Sequence, residues 1–266
     1  MDWPLARCLA EGARRTDHNE RSIYMGVGYS VSPLHRITYL DTSAMTMRPP
    51  VKGSDLTLDS VAELSGAKVS EGTARLYSPT IEDILAWRER LAIKYRDELE
   101  EELTWDEGST FEISEDVATS DDGMFRYVAA VLDQRGKSEL GKLIDSGKPT
   151  PHELDVAFAE ASRRGFGGCF PHLLLGANLW LPFKEQLMIE EPNWRGKLDR
   201  YGSVFHLVDE VTTVRAAIAD AQPSVIHSSA AETPDQVMVA AWQASITILR
   251  LANTAAAKHL PLWTTD

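Results

Sequence analysis

Apolar positions through the middle of the chain recur at helical spacing. Ile84, Trp87, Leu91, Tyr95, Leu99 and Leu103 follow one another by three and then by fours, with charged residues between them. That spacing predicts a helix from Ile81 to about Leu103 that packs by one narrow stripe. Val204 to Ala221 carries Leu207, Val208, Val211, Val214 and Ile218 in a comparable pattern. Further on, Val237, Met238, Val239, Trp242, Ile246, Ile248, Leu249 and Leu251 cover most of a helix circumference, so that helix is expected to be largely buried.

Capping chemistry fixes where helices start, because the first helical N–H groups have no partner inside the helix. Thr150-Pro151-His152-Glu153 is a capping box with proline at the first helical position, predicting a helix to about Arg164 that stops at Gly165. Thr233-Pro234-Asp235-Gln236 repeats the device before the helix that runs to about Lys258. Thr80 precedes Ile81, with Glu82 and Asp83 favourable in the first turn, and Thr57 caps a short helix ended by Gly66.

Short apolar runs read as strands: Ile23 to Val31, Ile37 to Leu40, Ala74 to Tyr77, Phe111 to Val117, Phe125 to Leu132, His172 to Leu175 and Gln186 to Ile189. Asp121-Asp122-Gly123 reads as a hairpin turn between two of them. Strands and helices in uneven groups predict an α+β fold, a mixed or antiparallel sheet covered by helices with a helix-rich C-terminal half. The polar stretch from Asp133 to Pro151 divides the chain into an N-terminal α+β half, 1–135, and a C-terminal α+β half, 150–266. These are either separate domains or two parts of one continuous domain.

Composition narrows the function. The 266 residues are 43% hydrophobic and 25% charged, ordinary values for a globular chain. No apolar stretch is long enough to cross a bilayer, and Met1 to Arg7 lacks the pattern of a secretory signal. Two cysteines, Cys8 and Cys169, form no disulfide framework, and the expected location is cytoplasmic. Forty acidic residues against 27 basic ones give a formal charge of −13. Direct binding of nucleic acid, which needs a basic face, is not expected.

The charge is concentrated. Fifteen acids and four bases lie between Thr80 and Asp122. The densest part holds Asp97, Glu98, Glu100, Glu101, Glu102, Asp106 and Glu107 with Trp105 among them and no base. Such a run is either a solvated face or an electronegative docking surface for a basic protein. On the docking reading, Trp105 is an exposed aromatic anchor.

Signals for catalysis are sparse. Cys169 and His172 lie three apart after Gly165-Phe166-Gly167-Gly168, a spacing that offers a thiol and an imidazole as nucleophile and base. The competing expectation is that Cys169 is a small buried residue in a strand-like stretch, packed and inert. The seven histidines contain no i, i+4 pair, so no metal ligand set is expected. Gly26-x-Gly28 lacks the third glycine of a dinucleotide fingerprint, and no cofactor is expected.

Several apolar motifs carry a resemblance. Phe170-Pro171-His172-Leu173-Leu174-Leu175, Leu181-Pro182-Phe183, Tyr201-Gly202-Ser203 leading to Leu207 and Glu210, and the Trp242 helix followed by Leu260-Pro261-Leu262-Trp263 are the residues concerned. Over residues 170–266 the chain resembles small bacterial proteins of toxin-immunity neighbourhoods. The resemblance implies a binding protein and no catalytic residues. The reading is therefore a non-catalytic cytosolic immunity-type protein that neutralises a basic toxin or effector through its acidic surface. The alternative is a small-molecule enzyme or sensor that uses Cys169 and His172 in a cleft.

Overall fold

The computed structural model describes residues 26–37, 39–41, 55–56, 74–144, 148–227 and 236–265. In chain order the strands are β1 (Gly26–Val31), β2 (Tyr39–Asp41), β3 (Asp55–Leu56), β4 (Ala74–Tyr77), β5 (Ile113–Ala118), β6 (Leu179–Leu181), β7 (Ile189–Pro192), β8 (Leu198–Ser203) and β9 (Leu262–Thr265). The helices are α1 (Ile81–Lys94), α2 (Thr119–Arg135), α3 (Lys137–Leu143), α4 (Pro151–Arg164), α5 (Pro171–Leu174), α6 (Val204–Ala221) and α7 (Val237–Lys258). A six-stranded sheet runs β5-β1-β9-β6-β8-β7, and β2-β4-β3 form a small second sheet. All pairs in the large sheet are antiparallel except β6 with β8. The fold is thus a mixed sheet covered by helices, with most helices in the C-terminal half.

Alternation along the strands builds two cores, one on each face of this sheet. Trp180 of β6, Tyr29 and Val31 of β1, and Leu262 of β9 meet Phe125 and Val128 of α2, Leu207 and Val211 of α6, and Ile248 and Leu251 of α7. On the other face, Leu179 and Leu181 of β6, Ile189 of β7, Tyr201 of β8 and Trp263 of β9 meet Ile84, Trp87 and Leu91 of α1. Gly202 is required by this packing, since a Cβ there would lie 2.5 Å from Trp180 Cδ1. The sheet takes strands from both sides of the polar 133–151 stretch, and α2 packs against both α4 and α7.

Several expectations are corrected. Phe125 to Leu132 is helix, part of α2, and Asp121-Asp122-Gly123 is its first turn instead of a hairpin. A short apolar run carries no decisive period, and here Met124, Phe125, Val128 and Ala129 all turn towards the core while Asp122 pairs with Arg126 one turn on. His172 to Leu175 is not a strand, because Pro171 opens the single turn of α5. The strand expected over Gln186 to Ile189 runs instead from Ile189 to Pro192. The helix after Thr80 stops at Lys94, well short of Leu103, where acids crowd a C-terminus whose dipole already disfavours negative charge. Strands β6, β8 and β9 were not anticipated. The Thr57 helix, the Thr233 cap, Cys8 and the first part of the Ile23 strand lie outside the described residues.

Both Thr80 and Thr150 form reciprocal capping boxes, with Asp83 and Glu153 respectively. Replacing Thr150 by Ala leaves Glu153 N–H without its acceptor and should lower stability by about 0.5–2 kcal/mol. Thermal melts by circular dichroism measure this; an unchanged midpoint would remove the cap from the account of α4.

Candidate functional site

The acidic segment begins where α1 ends. Asp97, Glu98, Glu100, Glu101, Glu102 and Asp106 are exposed, whereas Leu103, Trp105 and Glu107 turn inward. Trp105 is only 5% exposed, so it is no surface anchor. Its ring packs against Trp87 at 6.2 Å between centroids, with the Arg88 guanidinium 4.9 Å from its own centroid. Arg88 also donates to the Trp105 carbonyl at 2.6 Å. The indole N–H is held by Glu107.

Glu107 is 3% exposed and turned into the protein. Its carboxylate accepts the Leu34 and His35 backbone N–H groups at 3.1 and 3.2 Å and His35 Nδ1–H at 3.0 Å. A buried carboxylate persists when its lone pairs are matched by donors, and this one caps the single turn Leu34–Arg36. At the other end of the segment, the Glu100 N–H donates to Glu185 at 2.7 Å, and Lys184 pairs with Glu101 at 2.6 Å. The run is therefore clamped from below at Leu103, Trp105 and Glu107 and from one side by Lys184 and Glu185.

The second candidate, Cys169 with His172, divides between two environments. Cys169 is exposed, against the expectation of a packed core thiol, because it closes the glycine-rich turn after α4 instead of lying in a strand. Partial burial pushes its thiol pKa up, and the nearby Asp133 carboxylate adds to the rise. That opposes the thiolate a nucleophile requires. His172 is fully buried. Its Nδ1 accepts the Ser203 N–H at 3.0 Å, which places the proton on Nε2. Burial, with His206 stacked at 5.1 Å, pushes the imidazole pKa down to about 3. The thiol is thus held towards its protonated form, and the neutral His172 ring already spends its Nδ1 lone pair on the Ser203 N–H.

What these residues do instead is fasten the α5 turn. Glu210 of α6 accepts the His172 and Leu173 N–H groups at 3.0 and 2.8 Å. Trp180 Nε1 donates to the His172 carbonyl at 2.9 Å. Arg126 reaches the Leu173 carbonyl at 3.4 Å while bonded to Asp122 at 2.9 Å, and Tyr29 donates to the same Asp122 at 2.5 Å. Burial and the adjacent aspartate lift the Tyr29 hydroxyl pKa well above its usual range. Of this set the sequence pointed only to His172 and Glu210; for Asp122 and Arg126 the available signal was their i, i+4 spacing on one helix.

Among the described residues no group of three or more His, Cys, Asp or Glu side chains could hold a metal ion, and no helix is long and apolar enough to cross a membrane. Comparison with protein-family models, with curated proteins and with solved structures gives no match.

The buried titrating pair sets a pH profile. Burial pushes Glu210 up to about 8 despite its two N–H donors. The unfolded chain loses that proton near 4.5 and the folded one only near 8, so between these values this group lowers stability as pH rises. His172 has the opposite sign: below its unfolded value of 6.5 the unfolded chain gains a proton the folded state refuses until about 3. The two slopes offset between about pH 4.5 and 6.5, where the melting temperature should be flat. Melts across this range should show the alkaline decline in the parent protein and not in Glu210→Gln; a decline that persists in the variant would place its origin elsewhere.

Proposed function

We propose that the chain is a non-catalytic cytosolic binding protein of the immunity type, which neutralises a basic toxin or effector by docking it on the Asp97 to Asp106 surface. The observation that carries this reading is the arrangement of that segment: six carboxylates face solvent on a stretch whose apolar residues and Glu107 are fixed beneath it. A solvated acidic tail would need no such clamps. Fixing the segment in advance reduces the ordering cost that a partner must otherwise overcome on binding. Carboxylates so close together also make the local potential strongly negative, which draws in a cationic partner and orients it during encounter. Only Glu101 of the six is in an ion pair with a base among the described residues, through exposed Lys184.

Replacing Glu100, Glu101 and Glu102 together by Gln keeps their size and removes three charges. Association with a basic effector encoded beside this chain, followed by stopped-flow, should slow several-fold at low salt and change little at high salt, where screening already hides the charges. Equal rates for the parent and the triple variant at low salt would leave the segment as a solvated face. Trp105→Ala, in contrast to an interface anchor, should act by lowering stability, because its ring belongs to the core beside Trp87.

A further inference from the structure

The arm that braces the acidic segment from one side is itself held. After β6 the chain passes through Pro182 and Phe183 to Lys184 and Glu185, outside any helix or strand. Two consecutive carbonyls of this arm meet the junction between β8 and α6. The Ser203 hydroxyl donates to the Phe183 carbonyl, and His206 Nε2 lies 2.8 Å from the Lys184 carbonyl. A carbonyl oxygen only accepts, so His206 carries a proton on Nε2 and donates it. Ser203 Oγ in turn accepts the His206 N–H at 3.3 Å in the first turn of α6.

The His206 ring has a fixed backing. His172 stacks on it, 5.1 Å away between centroids and parallel within 12°. His172 is fully buried, and its Nδ1 is tied to the Ser203 N–H. His206, half-buried, therefore lies between an immobile ring and the Lys184 carbonyl.

Beyond that carbonyl, the side chains of the arm reach the acidic segment. Lys184 Nζ is 2.6 Å from Glu101, and Glu185 accepts the Glu100 N–H at 2.7 Å. Lys184 and Glu101 are 59% and 60% exposed, and such a pair holds little by itself because two long side chains must be ordered to form it. What Lys184 and Glu185 can fix thus depends on how firmly their own backbone is fixed. We propose that His206 is a positioning residue for the acidic surface: its bond to the Lys184 carbonyl sets the arm from which Lys184 and Glu185 keep Glu101 and Glu100 in place for a cationic partner. The inference rests on the binding reading above and names the group that presets its surface. Without the bond the arm keeps only its hold at Phe183, and the partner must order Glu100 and Glu101 on arrival.

Two substitutions isolate the bond. Gln carries its amide N–H where His carries Nε2, whereas Asn carries it where His carries Nδ1, short of the Lys184 carbonyl. Both lose the ring stacked on His172, so a difference between them reports the bond and not the stack. In the protein alone, hydrogen exchange at the Glu100 N–H, followed by NMR, should speed up several-fold in His206→Asn and stay near the parent rate in His206→Gln. Dye-labelled octalysine, titrated at low salt and read by anisotropy, should bind several-fold more weakly to His206→Asn and regain most of its affinity in His206→Gln. Equal exchange rates in the two variants would overturn the positioning role. Exchange that follows the bond while octalysine binds all three proteins alike would overturn it as well, since the surface would then not use the hold. Octalysine that fails to bind the parent protein overturns the binding reading instead, and the Glu100 exchange then decides whether His206 positions the segment.

Discussion

The Glu210 carboxylate is the constraint on which the centre of the molecule depends. It is 7% exposed and takes two consecutive backbone N–H groups from α5, which have no other helical partner. Through it α6 dictates where the Pro171–Leu174 turn lies, and the turn in turn delivers the chain into β6 between β8 and β9. His172 then bonds to Ser203 at the β8–α6 junction, and Trp180 returns a bond to His172. Removing one acceptor from such a buried set leaves donors unsatisfied, which costs more than the bond itself contributed. The His172 backbone and the Glu210 carboxylate together hold the α5 turn in place.

Charge in this protein is used in two distinct ways within a few residues. Glu107 and Asp122 are buried and tied to specific donors, whereas Asp97 to Glu102 repel one another in water. The repulsion coincides with the point at which α1 gives way to irregular chain after Lys94. Leu99 and Leu103 still turn towards the core, so the apolar stripe continues although the helix does not. An acidic surface arises because the backbone leaves helical geometry while its apolar residues remain attached.

The sequence made some of this legible and hid the rest for physical reasons. Thr80 and Thr150 announced their helices because a capping box is a local hydrogen-bond problem with a local solution. Helices α6 and α7 were readable from dense apolar spacing along their length. Strand β6 was not, since three residues buried on both faces show no alternation and merge into the surrounding apolar run. Helix α2 was misread because its eight-residue apolar stretch fits either period, and only packing on α7 decides between them. Trp105 shows the limit most sharply. Acidic neighbours suggest exposure, but in irregular chain nothing obliges adjacent side chains to share an environment. Cys169 fails in the opposite direction, because a turn braced by Asp133, thirty-six positions away, cannot be seen from the glycines alone.

Strand β9 occupies the middle of the large sheet, between β1 and β6, although β1 starts at Gly26 and β9 at Leu262. Closing so long a loop must precede the contacts that reward it, so the central ladder forms late. During synthesis β1 and β5 can pair soon after they emerge, yet they wait with one edge unfilled until β9 is made. From the emergence of β5, which ends at Ala118, until that of β9, which starts at Leu262, the nascent chain thus carries an open sheet edge, which makes folding yield sensitive to anything that competes for that edge.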